Sequence, residues 1–203
     1  MLRKVVLLAV LALALPIAAV ANSHSDFNAQ GGTLSGSSAG LQLTGATLMA
    51  VSNLYGTPLS VGSNLGTVSF TTGPMLSGSL ASSATFSGAG STFMIVGNNG
   101  ISGVPSGTIF SGSFTTDVTL TESGTGLHSY FLTGVVAGTL SNGGQARGPV
   151  ILNFTTGKGW MGEQVTIGSV DTTVVVPEPG TLSLLGTGLI GLAGIIRRKL
   201  SLA

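Results

Sequence analysis

Between Ile109 and Thr121 apolar and polar side chains alternate in period two. Phe110, Gly112, Phe114, Val118 and Leu120 share one parity with Thr116, while Ser111, Ser113, Thr115, Asp117, Thr119 and Thr121 occupy the other. Residues two apart lie on one face of a strand, so this stretch reads as a β-strand with one dry face and one wet face. Leu80, Ala84 and Phe86 against Ser79, Ser83, Thr85 and Ser87 repeat the pattern, as do Val68 and Phe70 against Thr67 and Ser69. Phe93-Met94-Ile95-Val96 is a continuous apolar run and reads as a central strand. No sustained helical period occurs between residues 22 and 176.

Turn chemistry punctuates these runs. Glu122-Ser123-Gly124-Thr125-Gly126 separates the Ile109 strand from Leu127–Leu140, and Ser141-Asn142-Gly143-Gly144 separates that from Val150–Thr156. Three antiparallel strands in a meander are expected there. Asn98-Asn99-Gly100 marks another tight turn, and further strands are expected at Leu41–Met49, Gln164–Ile167 and Asp171–Val176. About eight to ten strands in one domain imply an all-β fold, a single antiparallel β-sandwich or flattened barrel. A Phe-Thr-Thr triplet recurs at Phe70, Phe114 and Phe154, but the likeness stops at the triplet, so no blade or solenoid repeat is read from it.

The ends differ from this body. Met1–Lys4 carries two cations, Val5–Val20 is apolar apart from Pro16, and small residues at Ala19 and Ala21 stand where a signal peptidase reads. Residues 1–21 are therefore expected to be a Sec signal peptide, cut after Ala21 by signal peptidase once the translocon has exported the chain. A twin-arginine pair is missing, and with no cysteine in the chain neither lipid attachment nor a disulfide is possible. The fold must be held by its core.

At the other end Val174-Val175-Val176 leads into Pro177-Glu178-Pro179, then seventeen uncharged residues from Gly180 to Ile196, then Arg197-Arg198-Lys199 and a four-residue tail. The prolines hold Val176 and Glu178 out of helix, and Pro179 suits a first helical turn because it needs no N–H partner there. As a helix, residues 180–196 would extend about 25 Å, at the lower limit for crossing a hydrocarbon layer of about 30 Å. The cations behind them stay cytoplasmic by the positive-inside rule, leaving the body on the outer side. This three-part layout closely resembles the PEP-CTERM sorting signal of exported proteins of Gram-negative bacteria. The resemblance implies that Pro177, Glu178 and Pro179 form the motif read by an exosortase, that 180–196 is a transmembrane helix, and that Arg197, Arg198 and Lys199 form the basic stop within the tail 197–203. It implies a protein held briefly in the inner membrane, then released or attached at the cell surface, often alongside exopolysaccharide. A permanent single-span anchor is the plainer alternative.

The intervening body, residues 22–176, is a Gly/Ser/Thr-rich β-domain with two cations, Arg147 and Lys158, against Asp26, Asp117, Glu122, Glu163 and Asp171. So few cations exclude a phosphate-binding surface, and nucleic acid is not an expected partner. Gly and Pro make up 40 of 203 residues, below the level of about 25–30% that marks low-complexity chains, so the body is expected to fold.

Chemistry is sparse. The two histidines are His24 and His128. A Ser–His–acid site on His128 with Asp117 or Glu122 is conceivable, but no nucleophile elbow accompanies it, so no catalytic residue, metal or cofactor is assigned and the protein is not expected to be an enzyme. Asp and Glu are too scattered for a calcium loop. Asn153-Phe154-Thr155 has the glycosylation pattern, but on an expected strand. The one tryptophan, Trp160, lies between glycines and beside Lys158 and Glu163, a setting in which an exposed ring could stack on a sugar. The opposing expectation is a buried anchor on the sheet. The leading reading is an exported, non-enzymatic surface or matrix protein, with a glycan-binding module and a secreted hydrolase as alternatives.

Overall fold

The structure is a computed structural model that describes residues 23–98, 103–124 and 126–176. The expected signal peptide with Ala19 and Ala21, the turn residues Asn99 and Gly100, and everything from Pro177 onward lie outside the described residues. Residues His24–Val176 make one compact unit. Its strands are β1 (Ser23–Gln30), β2 (Thr33–Ser37), β3 (Gly40–Ser52), β4 (Ser60–Thr71), β5 (Met75–Gly78), β6 (Ser83–Phe86), β7 (Thr92–Gly97), β8 (Gly107–Phe114), β9 (Val118–Gly124), β10 (Ser129–Leu140), β11 (Gln145–Thr155), β12 (Val165–Thr166) and β13 (Ser169–Val176).

Eight of these close into an antiparallel barrel in the order β1-β3-β4-β7-β8-β10-β11-β13, with β13 returning to β1. Of the two architectures expected, the barrel is the one present. Alternation explains the wall: Tyr130, Leu132, Val136 and Leu140 on β10, and Ala146, Val150, Leu152 and Phe154 on β11, all point inward and are buried. An interior of eight strands is just wide enough to be filled by side chains, and each fully buried Leu or Phe contributes about 1.5–3 kcal/mol. This core carries the fold without disulfides.

The remaining strands leave the wall at one end. Each rising strand (β1, β4, β8, β11) is followed by an excursion before the chain descends: β2 after β1, β5 and β6 after β4, β9 after β8, and β12 after β11. Two long strands fork to hold them. Gly40–Thr44 of β3 pair with β2 and Thr47–Ser52 with β1, while Val136–Leu140 of β10 pair with β8 and Ser129–Thr133 with β9. The end with the excursions is the upper end; the short connections β3–β4, β7–β8 and β10–β11 lie at the lower end.

That fork corrects the reading of Ile109–Thr121 as one strand. The chain does run along β10 throughout, but it breaks at Thr115-Thr116-Asp117, where the register against β10 slips by two residues. One backbone and one side-chain bond stitch the gap: the Thr115 N–H donates to the Val135 carbonyl at 2.8 Å, and the Val135 N–H donates to Thr116 Oγ1 at 3.3 Å. The break lets β7 add to β8 while β6 adds to β9. Leu80 likewise sits in the turn before β6 rather than in the strand, half-buried against the core. In Phe93–Val96 the run is central, but Phe93 and Ile95 face the interior and Met94 faces solvent, because a barrel wall has one dry side.

Glycines permit the closeness of this wall. Gly112 and Gly138 face each other across β8 and β10, and a Cβ on either would run into the backbone of the opposite strand. At Gly148 a Cβ would meet the Thr173 carbonyl, and the regular β11–β13 register passes over Gly148 and Pro149, where Pro149 has no N–H to offer.

Candidate functional site

Trp160 organises the upper end. The loop after β11 folds it inward, where its ring is fully buried against Phe154, with centroids 5.0 Å apart and planes at 70°, and against Tyr130 at 6.4 Å. Tyr130 stacks on Phe154 at 5.0 Å. Its hydroxyl accepts the Trp160 N–H at 2.8 Å and donates to the Ala81 carbonyl at 3.1 Å, tying the β5–β6 turn to the loop. Trp160 Nε1–H donates to the Glu163 carbonyl at 2.7 Å, and Gly36 N–H of β2 donates to the Gly162 carbonyl at 3.0 Å. Elements from four parts of the chain meet on this ring.

The expectation of an exposed sugar-stacking Trp160 is therefore overturned. A sugar needs an open aromatic face, and both faces here are taken up by the protein. The flanking charges serve the loop instead: Glu163 Oε2 accepts the Met161 N–H at 2.9 Å, and Oε1 lies 3.2 Å from Lys158 Nζ. Hydrogen bonds from its own and the Met161 backbone N–H, with the Lys158 ammonium nearby, hold the Glu163 carboxyl below its ordinary range.

The β9–β10 hairpin does bring Glu122 to His128. The His128 Nδ1–H donates to Glu122 Oε1 at 2.5 Å, from a backbone with φ of 48°. Asp117 is not part of this pair; it stands in the strand break before β9. Among the described residues no serine hydroxyl bonds the His128 ring, and no three His, Asp or Glu side chains converge on a common point. Asn153 is half-buried on β11 and spends its Nδ2–H on Ser169 Oγ at 2.9 Å. A shallow groove of about 260 Å³ beside β1 and β13 is lined by Asp26, Asn28, Ser52, Leu59 and Asp171. Its polar groups are engaged across the closing seam, Asn28 donating to Asp171 and Ser52 to Asp26.

The lower end is where the described chain starts and stops. Ser25 Oγ donates to the Asn53 carbonyl at 3.2 Å, fastening the first strand to the β3–β4 connection, and the Tyr55 hydroxyl lies 2.5 Å from Ser141 Oγ in the β10–β11 turn. On β13, Val174 is fully buried, Val175 pairs with Arg147 and faces outward, and Val176 packs against the core beside Gly144. The strand continues to the residue before Pro177.

Residues 175–199 match the family model of the PEP-CTERM protein-sorting motif. The chain carries a PEP-CTERM sorting signal. The match contains Pro177, Glu178 and Pro179 and the cations Arg197, Arg198 and Lys199, all outside the described residues. A PEP-CTERM signal implies export, transient anchoring in the membrane and processing by an exosortase. No curated protein and no solved structure matches the chain. Among the described residues no helix is long and apolar enough to cross a membrane.

Proposed function

We propose that this chain is a non-enzymatic protein of the cell surface or extracellular matrix. It is exported through Sec, freed of residues 1–21 by signal peptidase, held by residues 180–196 in the inner membrane, and cut by an exosortase near Pro177–Pro179. The body that results is a closed barrel. The observation that carries this reading is the PEP-CTERM match, which begins at the last two residues of the final barrel strand and runs on past it.

The wall supports an extracellular role. Hydroxyl pairs take the place of ion pairs across neighbouring strands, as in Thr71–Thr92 at 2.8 Å and Thr119–Thr133 at 2.7 Å. Such pairs depend little on salt or pH, which vary outside the cell. The barrel serves as a stable, sparsely charged component beside exopolysaccharide rather than as a sugar-stacking module, since Trp160 is enclosed.

Intact mass of the protein recovered from the extracellular and surface fractions tests the reading. The expected product begins at Asn22 and lacks the apolar segment 180–196, and replacing Pro177 and Pro179 with alanine leaves a membrane-bound chain ending at Ala203. A wild-type product still ending at Ala203 would refute processing.

A further inference from the structure

The sorting motif and the barrel overlap. The match begins at residue 175, yet β13 runs to Val176, so the first two matched residues are also the last two of a barrel strand. Val175 is in register with Arg147 of β11, and β13 is flanked by β11 on one side and β1 on the other. An enzyme that binds its substrate as an extended segment needs a free backbone edge, and a strand inside a closed wall has none. Releasing the end of β13 exposes Val174, which is completely buried, together with Val176. Exposing one such valine lowers the open population by about one to two orders of magnitude.

We propose that the folded barrel restricts the exosortase to the residues from Pro177 onward and thereby slows its own processing, the lower rim around the end of β13 being the surface that meets the enzyme. The rim at this exit is formed by Arg147, by the turn residues Asn142–Gly144, and by Val176 against them. In the sequence no residue separates Val176, the last of β13, from Pro177. The inference rests on the exosortase reading above and adds that the fold, not only the motif, sets the rate and the position of the cut.

The experiment is a pulse-chase of the full chain in a cell that processes it, comparing wild type with a variant carrying Gly-Ser-Gly-Ser between Val176 and Pro177. The insertion lies outside the barrel, and near-UV circular dichroism of the purified bodies checks that both fold alike. Several-fold faster conversion of the variant, with both products retaining Val176, is the expected result. Equal or slower conversion overturns the proposal, as does a wild-type product cut before Val176. The Pro177→Ala, Pro179→Ala variant run alongside separates the two claims: if it is processed like wild type, the exosortase reading itself has failed, whatever the insertion does.

Discussion

The backbone N–H of Trp160 donates to the Tyr130 hydroxyl at 2.8 Å, and that hydroxyl donates onward to the Ala81 carbonyl at 3.1 Å. One phenol on β10 thus joins two excursions, 30 and 49 residues away from it in sequence. Replacing Tyr130 with phenylalanine keeps the stack on Phe154 but leaves a buried donor unpaired. The expected cost is about 1–3 kcal/mol, read as a lower urea midpoint with unchanged slope.

Trp160→Ala removes the ring on which the upper end closes. A loss of about 3–5 kcal/mol is expected, a large share of the about 5–15 kcal/mol that stabilises an ordinary domain, and thermal denaturation followed by far-UV circular dichroism measures it. Near-neutral behaviour would mean that the ring is not the anchor its burial implies.

Acid should loosen the same loop. The Glu163 carboxyl is held below its ordinary range in the folded protein, so its contribution is complete above the unfolded value and is lost as pH falls through the folded one. With a single tryptophan in the chain, the emission of Trp160 reports the change directly. A red shift on acidification below about pH 4.5 is expected for wild type, and Glu163→Gln should remove the part of that transition belonging to this carboxylate.

The wall should be indifferent to salt. Among the described residues one Lys–Glu pair stands against several Ser and Thr contacts across strands, and exposed ion pairs contribute about 0–1 kcal/mol. Urea midpoints in low and in 1 M sodium chloride should differ little; a drop of several kcal/mol would show that electrostatics matter more than this wall implies.

Gly148→Val tests closure. Its side chain would be driven into the Thr173 carbonyl on β13, and no rotamer can relieve a clash that begins at Cβ. Loss of cooperative unfolding is expected, because the clash lies on the strand that completes the barrel.

Much of the strand content was legible because alternation is a local signal. β3, β4, β7, β10, β11 and β13 fall where apolar residues recur every second position or where turn residues bound a run. β1, β2 and β5 were not legible: Ser23–Gln30, Thr33–Ser37 and Met75–Gly78 carry few large apolar side chains, and their strand state comes from pairing with distant partners. The triplets at Phe70, Phe114 and Phe154 show the same limit. All three lie where a rising strand ends, and Phe70 and Phe114 meet edge to face at 5.6 Å, a regularity invisible until the barrel is closed. The sorting motif at residues 175–199, by contrast, was legible, since it is read as a linear string and needs no fold to be recognised.

By itself the sequence determined the class of structure and the address: period-two runs that can only be strands, no cysteine to brace them, and a Pro-Glu-Pro motif before an apolar segment and three cations. Tertiary structure alone decided that the sheet closes rather than doubles, that Trp160 is enclosed, and that the sorting motif starts within the final strand. Each of these depends on which distant strands meet, such as β13 with β1, and the side-chain pattern of a strand fixes which face is dry without naming the neighbour on either edge.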